Sequence, residues 1–467
     1  MTPPTGALHE LSALELANLI RRRALSSEEI TRATLDRIEK HNDKLSAFVQ
    51  ILRDEAIRVA RQKDRETFRS KGEGLPPFHG VPMGIKDLNF VAGAYTRMGS
   101  RAFANFVSMF DDRVTQNMRK AGFVIVGKTA TSELGTLPVT EPDIHPPTRN
   151  PWNLDHTSGG SSGGAGSAVA AGLLPMAHGS DGAGSIRIPS AFCHLFGLKP
   201  SRGRVCNAYG LDDRELIYTC GPLARSVDDG AAFLDAFAGI SSGVRNWAPA
   251  PVQTFHELSK RTPPRLRIKF ARTTKLTTTH PDHAAAVDRF VNKLADLGHH
   301  VEDGGEISEG TVEEFLPVWQ YAAANVPVLD WNDTQPVTRW LAEKGRELTA
   351  QQVNERRASL AARVLSWFGD VDLWITPTVA APPPRVNAWS HLGPEEAFAE
   401  AAHLGPFTAL FNLTGQPAAS VPAGLSSVGL PIGIQVVGKP LADALVLQVS
   451  RQLEQEFPWT RIAPGWA

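Results

Sequence analysis

The sequence predicts an α/β fold on three observations. Capped amphipathic helices open the chain, short apolar runs punctuated by Gly, Ser and Pro fill about 78–229, and strand-like runs return over the last hundred residues. The stretch between, about 240–371, is poor in glycine and patterned for helices. Strands on both sides of that stretch allow one sheet to be built from both ends of the chain. A length of 467 residues accommodates one very large α/β domain or two to three smaller ones.

Taken in order, Ser12 with Glu15 and Ser26 with Glu29 match the S/T-x-x-E capping box ahead of apolar faces. Leu16, Leu19 and Ile20 form the first face, and Ile30, Leu35 and Ile38 the second, giving a helical arm over 1–65. FVIVGK (Phe123–Lys128) predicts a buried strand, GGAGSAVAAGLL (Gly163–Leu174) a helix of small residues, and Pro175–Ser180 a strand entering a turn. Beyond 240, Val287, Phe290, Val291, Leu294 and Leu297 share one helical stripe, which Gly298 stops. DLWITPTV, AASVPAG and IGIQVVGK predict strands within 372–467, and a helix near Leu445–Glu456 closes the chain.

Composition excludes several classes. Hydrophobic residues are 42%, charged residues 21% and the formal net charge −1, so no basic face for nucleic acid is implied. The small-apolar stretch Ala165–Ala177 is shorter than a membrane span and broken by Gly172 and Pro175. The arginines at 21–23 follow the apolar residues, the reverse of a secretory leader. Three cysteines, Cys193, Cys206 and Cys220, make no disulfide framework and point to a reducing compartment. A cytoplasmic location is expected.

Two motifs mislead. Gly122–Thr129 reads GxxxxGK[ST] letter for letter, but a phosphate loop needs backbone N–H groups turned inward. Phe123-Val124-Ile125-Val126 demands a ladder instead. GGSSGG satisfies GxSxG at Ser161 or Ser162, yet the residues before it, Asn150–Thr157, hold no strand-like run as a nucleophile elbow requires. No two histidines have HxxxH spacing, and His299-His300, read as a helix end, predicts solvated surface. No metal and no cofactor are expected.

Three polar residues stand where a packed core would not choose them. Lys86 ends HGVPMGIK, Ser161 lies in GGSSGG and Ser185 closes GSDGAGS. A buried lysine loses its charge and serves as a base at neutral pH, and glycine turns present serines without steric cost. The combination reads as a hydrolase that activates serine through lysine. Gly182-Ala183-Gly184-Ser185 offers consecutive backbone N–H groups, the geometry of an oxyanion hole. Asp181 and Arg187 flank that turn, either as an ion pair or as solvated charges.

GVPMGIKD (Gly80–Asp87), TRNPWNLDHTSGGSSGG (Thr148–Gly164) and GSDGAGSIRIPSAFCHLFGLKPSRGRV (Gly179–Val205) together resemble the amidase signature family. GPLARSVDD (Gly221–Asp229) and FNLTGQPAASVP (Phe411–Pro422) resemble it too, so the likeness spans nearly the whole chain and is weakest across 240–371. It implies a single α/β/α domain over 1–467 with a mixed, twisted central sheet. It also implies a Ser–cisSer–Lys triad of Ser185, Ser161 and Lys86, a cis peptide before Ser161, and an acyl-enzyme. Gly159 and Gly160 are implied substrate contacts. The oxyanion turn departs from the family's usual larger residue and two glycines, reading Gly182-Ala183-Gly184 instead. With LGTLPVTEP upstream it is similar to bacterial amidases of the 6-aminohexanoate-cyclic-dimer hydrolase group, and less so to glutamyl-tRNA amidotransferase A subunits.

The expected substrate is a small neutral or apolar acyl or aryl amide, with Trp319, Tyr321, Trp331 and Trp340 as candidate lining from the helical stretch. A homodimer is the expected assembly, with neither nucleic acid nor a membrane as partner. Two other classes compete: a glutaminase subunit of a tRNA-dependent amidotransferase, and a non-catalytic binding protein on an amidase fold.

Overall fold

The computed structural model describes residues 7–205, 217–239, 248–249 and 251–466. Cys206 lies outside them; Cys193 and Cys220 are buried and form no disulfide among the described residues. Both predicted capping boxes form, at the starts of helices Ala13–Arg21 and Ser27–Leu45.

Among the described residues thirteen strands follow the chain order: β1 (Phe48–Ile51), β2 (Pro82–Lys86), β3 (Val124–Thr129), β4 (Arg149–Asn150), β5 (Asn153–Thr157), β6 (Met176–Asp181) and β7 (Phe196–Lys199). Then come β8 (Thr219–Ala224), β9 (Arg267–Phe270), β10 (His300–Asp303), β11 (Leu373–Pro377), β12 (Ala418–Leu425) and β13 (Pro431–Gly438). Eleven of them form one mixed sheet in the order β1-β3-β2-β6-β8-β7-β12-β13-β11-β9-β10. The pairing of β7 with β12, Ala418 opposite Lys199, joins the two ends of the chain in that sheet.

Alternation along the strands explains the layers. Ile125, Ile375 and Val436 join one apolar cluster with helices Ala13–Arg21, Val227–Phe237, Pro281–Asp296 and Asp443–Glu456. Their chain neighbours face the other way. Val124 and Val126 pack with Ser27–Leu45 and Gly163–Ala170, and Trp374 and Val437 pack with Ala350–Phe368. Every buried strand has helices on both faces, the α/β/α arrangement.

Some expectations need correction. Asn153–Thr157 is a strand after all, but β5 pairs only with β4 in a separate two-stranded ribbon. The small-residue helix stops at Ala170, where Gly172 takes a left-handed φ of +65°. The helix over 281–296 buries Val287, Phe290, Val291 and Leu294 but leaves Leu297 exposed. His299 is buried, hydrogen-bonded to Gln452 and to the Leu266 amide, and His300 opens β10. The edge strand β10 and its neighbour β9 are hidden in the sequence because HVED and RIKF interleave charges with apolar residues. Among the described residues no helix is long and apolar enough to cross a membrane.

Candidate active site

Strands β2 and β6 are parallel neighbours, with Gly84 opposite Ala177. Their carboxyl ends carry Lys86 and Ser180-Asp181, at the edge where open α/β sheets bind ligands. Lys86 is completely buried. Its Nζ donates to Ser161 Oγ at 2.7 Å and to Ser180 Oγ at 2.9 Å. Burial pushes this lysine down to about 7, against the opposing pull of Cys220 and Asp181.

Ser161 sits in the loop between β5 and helix Gly163–Ala170, after a cis Gly160–Ser161 peptide. Its neighbour Ser162 turns to the strand side: its Oγ lies 3.3 Å from both the amide and the carbonyl of Ser180, and its amide donates to the Ser185 carbonyl. The two serines of GGSSGG thus do different work, and it is Ser161 that meets the lysine.

The turn after β6 is held from beneath. Asp181 and Arg187 form a fully buried ion pair, Nη2 to Oδ1 at 2.9 Å and Nε to Oδ2 at 3.0 Å. Burial alone would raise the Asp181 carboxyl, but the Arg187 charge and hydrogen bonds hold it far below the usual carboxylate range. Asp181 Oδ1 accepts the Gly184 amide at 2.7 Å and Oδ2 accepts the Ile186 amide at 3.2 Å. The Gly184 N–H is therefore committed, which corrects the reading of four free donors. Among the described residues, the amides of Gly182, Ala183 and Ser185 have no acceptor. A Cβ on Gly184, at φ +128°, would lie 2.4 Å from Thr408 Oγ1, so glycine is required there. Ala183 keeps a negative φ and needs no glycine.

Sequence reasoning missed the residues that anchor this pair. Arg187 also donates to the Thr408 carbonyl, Gln435 Oε1 and Asn412 Oδ1 at 2.9, 2.6 and 2.6 Å. Asn412 Nδ2 in turn donates to the Asp181 carbonyl at 2.8 Å. The available signal was Gln435, a lone amide within the apolar run IGIQVVG of a buried strand.

Two cavities meet at Ser185. One, of about 90 Å³, is walled by Leu137, Ile188, Phe315, Phe398 and Leu410. The other, of about 150 Å³, includes Ser161, Ser180, Leu88, Tyr218 and Val326. Gly135, Thr136, Ser185 and Trp319 border both. No described lining residue of either is charged.

The remaining sequence candidates fall elsewhere. Tyr321 is two residues from Trp319 on helix Val312–Ala324, hence on a different face, and packs into the cluster around Val318 and Phe368. Trp331 carries the Arg346 guanidinium and Trp340 packs on Phe398. Gly159 and Gly160 serve close backbone packing: a Cβ on Gly160 would lie 2.7 Å from the Val139 amide nitrogen, and one on Gly159 3.0 Å from Pro189. Neither glycine borders the two cavities. Lys128 of the phosphate-loop string is buried in an ion pair with Asp87 at 2.8 Å and donates to the carbonyls of Asn89 and Tyr95. Both ring nitrogens of buried His178 lack a hydrogen-bond partner among the described residues, and burial pushes that ring down to about 3.

The fold and these motifs point to a class of amide-hydrolysing enzymes, and comparison with known proteins agrees. Residues 29–447 match the Amidase family, and the chain belongs to that family, the amidase signature enzymes, which hydrolyse amide C–N bonds. It is 38% identical over 451 residues to a putative amidase of Synechocystis sp., covering 96% of this chain and 88% of that one. It is 34% identical over 480 residues to the 6-aminohexanoate-cyclic-dimer hydrolase of Paenarthrobacter ureafaciens, covering 96% and 95%. A solved structure of 6-aminohexanoate cyclic dimer hydrolase superimposes with a TM-score of 0.88 at 31% identity, covering 99% of this chain and all of that one.

Proposed function

We propose that the chain cleaves small neutral or apolar acyl or aryl amides through Ser185 as nucleophile, Ser161 as relay and Lys86 as base. One observation carries this reading. A lysine with no solvent exposure, brought down to about 7, lies 2.7 Å from a serine hydroxyl that shares a cavity with Ser185. A neutral amine keeps a lone pair for the Ser161 proton, while Ser161 takes the proton of Ser185. The Ser185 Oγ–carbon bond forms, and charge on the carbonyl oxygen meets the amides of Gly182, Ala183 and Ser185. Collapse breaks the C–N bond, and the proton returns through Ser161 to the leaving amine. Water then attacks the acyl-enzyme, sheds its proton along the same route and releases the acid.

Electrostatics support the substrate class. Glutamine is a zwitterion, and burying either charge without a partner costs several kcal/mol. The described lining supplies no countercharge, which favours an uncharged amide over the glutaminase alternative. The test is turnover by the purified chain alone against anilides, aliphatic amides and glutamine. Release of aniline without partner chains is expected; glutamine hydrolysis with no anilide turnover would reverse the assignment.

A further inference from the structure

In this mechanism the amine that leaves must sit within hydrogen-bond reach of Ser161, because its proton arrives from that hydroxyl. Of the two cavities, Ser161 borders the one that also holds Ser180, Tyr218 and Val326. The amine side of the scissile bond therefore occupies that cavity. A tetrahedral carbon on Ser185, with its oxygen toward the turn amides and its nitrogen toward Ser161, has one direction left for its acyl substituent. That direction is the cavity walled by Leu137, Ile188, Phe398 and Leu410.

Trp319 stands between the two. Its ring borders both cavities, and its indole Nε1–H donates to the Thr136 carbonyl at 3.0 Å. Thr136 itself borders both. The ring also stacks on Phe315 with centroids 5.8 Å apart and lies over Gly182, where a Cβ would come within 3.0 Å of it. An indole fixed by a hydrogen bond, a stacked ring and a turn at van der Waals contact is a wall with a set position.

We propose that Trp319 is a specificity-determining residue that partitions the site into an acyl lobe and an amine lobe. The substrate class is then an N-substituted amide with uncharged, apolar groups on both sides of the C–N bond. A primary amide would leave the amine lobe unfilled. This inference rests on Ser161 as the proton relay and goes beyond it by assigning each side of the substrate to a lobe.

Two matched substrate series test it: 4-nitroanilides of straight-chain acids from acetyl to octanoyl, and acetamides of progressively larger arylamines. Ala402, half-buried, borders the acyl lobe and Ala322, also half-buried, the amine lobe. Ala402→Phe should lower the octanoyl-to-acetyl ratio of kcat/KM by about tenfold or more and preserve the ranking of the arylamine series. Ala322→Phe should do the converse. Leu137→Ala and Val326→Ala should enlarge the same two lobes and extend the preferred chain and arylamine respectively. Trp319→Ala should flatten both series, with Trp319→Phe intermediate.

Exchange of the two responses, or equal response of both series to each variant, would overturn the partition. A fluorophosphonate probe separates this failure from the other. Wild-type enzyme that neither labels at Ser185 nor turns over any amide would sink the triad reading itself. Labelled, active enzyme with exchanged responses would sink only the lobe assignment.

Discussion

Replacing Lys86 with methionine should stabilise the protein while abolishing turnover, and the stabilisation should depend on pH in a defined way. Methionine matches the length of the lysine stem without its charge. The folded value of about 7 lies below the ordinary 10.5. Between those pH values the unfolded chain holds the proton more often than the folded one, so wild-type stability rises with pH. Below about pH 7 both states are protonated, and the full penalty is roughly 5 kcal/mol. About 4 kcal/mol of that penalty remains at pH 7 and about 2 kcal/mol at pH 9. Loss of the Ser161 and Ser180 hydrogen bonds offsets part of the gain by a constant amount. That constant cancels between pH values. Denaturant unfolding of wild type and Lys86→Met at pH 7 and pH 9 should show their difference shifting by about 2 kcal/mol in favour of wild type at the higher pH. A difference that does not move with pH would mean that Lys86 keeps an ordinary lysine affinity for its proton and is no base at neutral pH.

Turnover should follow the same group. kcat/KM should rise along a single limb centred near pH 7, by roughly tenfold from pH 6 to pH 8, and Lys86→Arg, always protonated, should lack both the limb and the activity. Arg187→Met should strand the buried Asp181 charge at a cost of about 3–5 kcal/mol, read by denaturant unfolding, and displace the turn that Asp181 holds through the Gly184 and Ile186 amides, with loss of activity. Arg187→Lys, unable to reach Gln435, Asn412 and Asp181 together, should not restore it. Saturating ATP should leave the melting temperature unmoved, because Lys128 is occupied by Asp87 and two carbonyls. A rise of several degrees would revive the phosphate-loop reading.

Much of the sheet was legible because buried strands are written as apolar runs. FVIVGK, DLWITPTV and IGIQVVGK became β3, β11 and β13 at nearly the expected places. The charged strands β9 and β10 were not: β10 is the sheet edge, which tolerates polar residues, and β9 beside it is only partly buried and alternates Arg267 and Lys269 with Ile268 and Phe270. At the site, Lys86, Ser161 and Ser185 stand out by residue type and glycine context, the choice of Ser161 over Ser162 rests on the family resemblance, and Asp181 and Arg187 read from sequence as either an ion pair or solvated charges. Their support could not. Thr408, Asn412 and Gln435 lie more than 220 residues from Asp181 and Arg187, and only the pairing of β7 with β12 brings that half of the chain alongside. Among the aromatics, Trp319 borders the cavities and Tyr321 does not, a distinction set by helical phase at a helix whose start the sequence had not defined. Gly159 and Gly160 are glycine for packing against Pro189 and Val139, a constraint visible only once those loops are folded together.

The central claim is that Ser185 carries the acyl group, and the most direct measurement is its location during turnover. Wild-type enzyme mixed briefly with a 4-nitroanilide, quenched in acid and digested, should yield an acyl ester on the peptide containing Ser185, after a burst of 4-nitroaniline if deacylation is slow. Ser185→Ala should yield neither ester nor burst. An acyl group found on Ser161 or Ser162, or undiminished turnover by the alanine variant, would contradict the account.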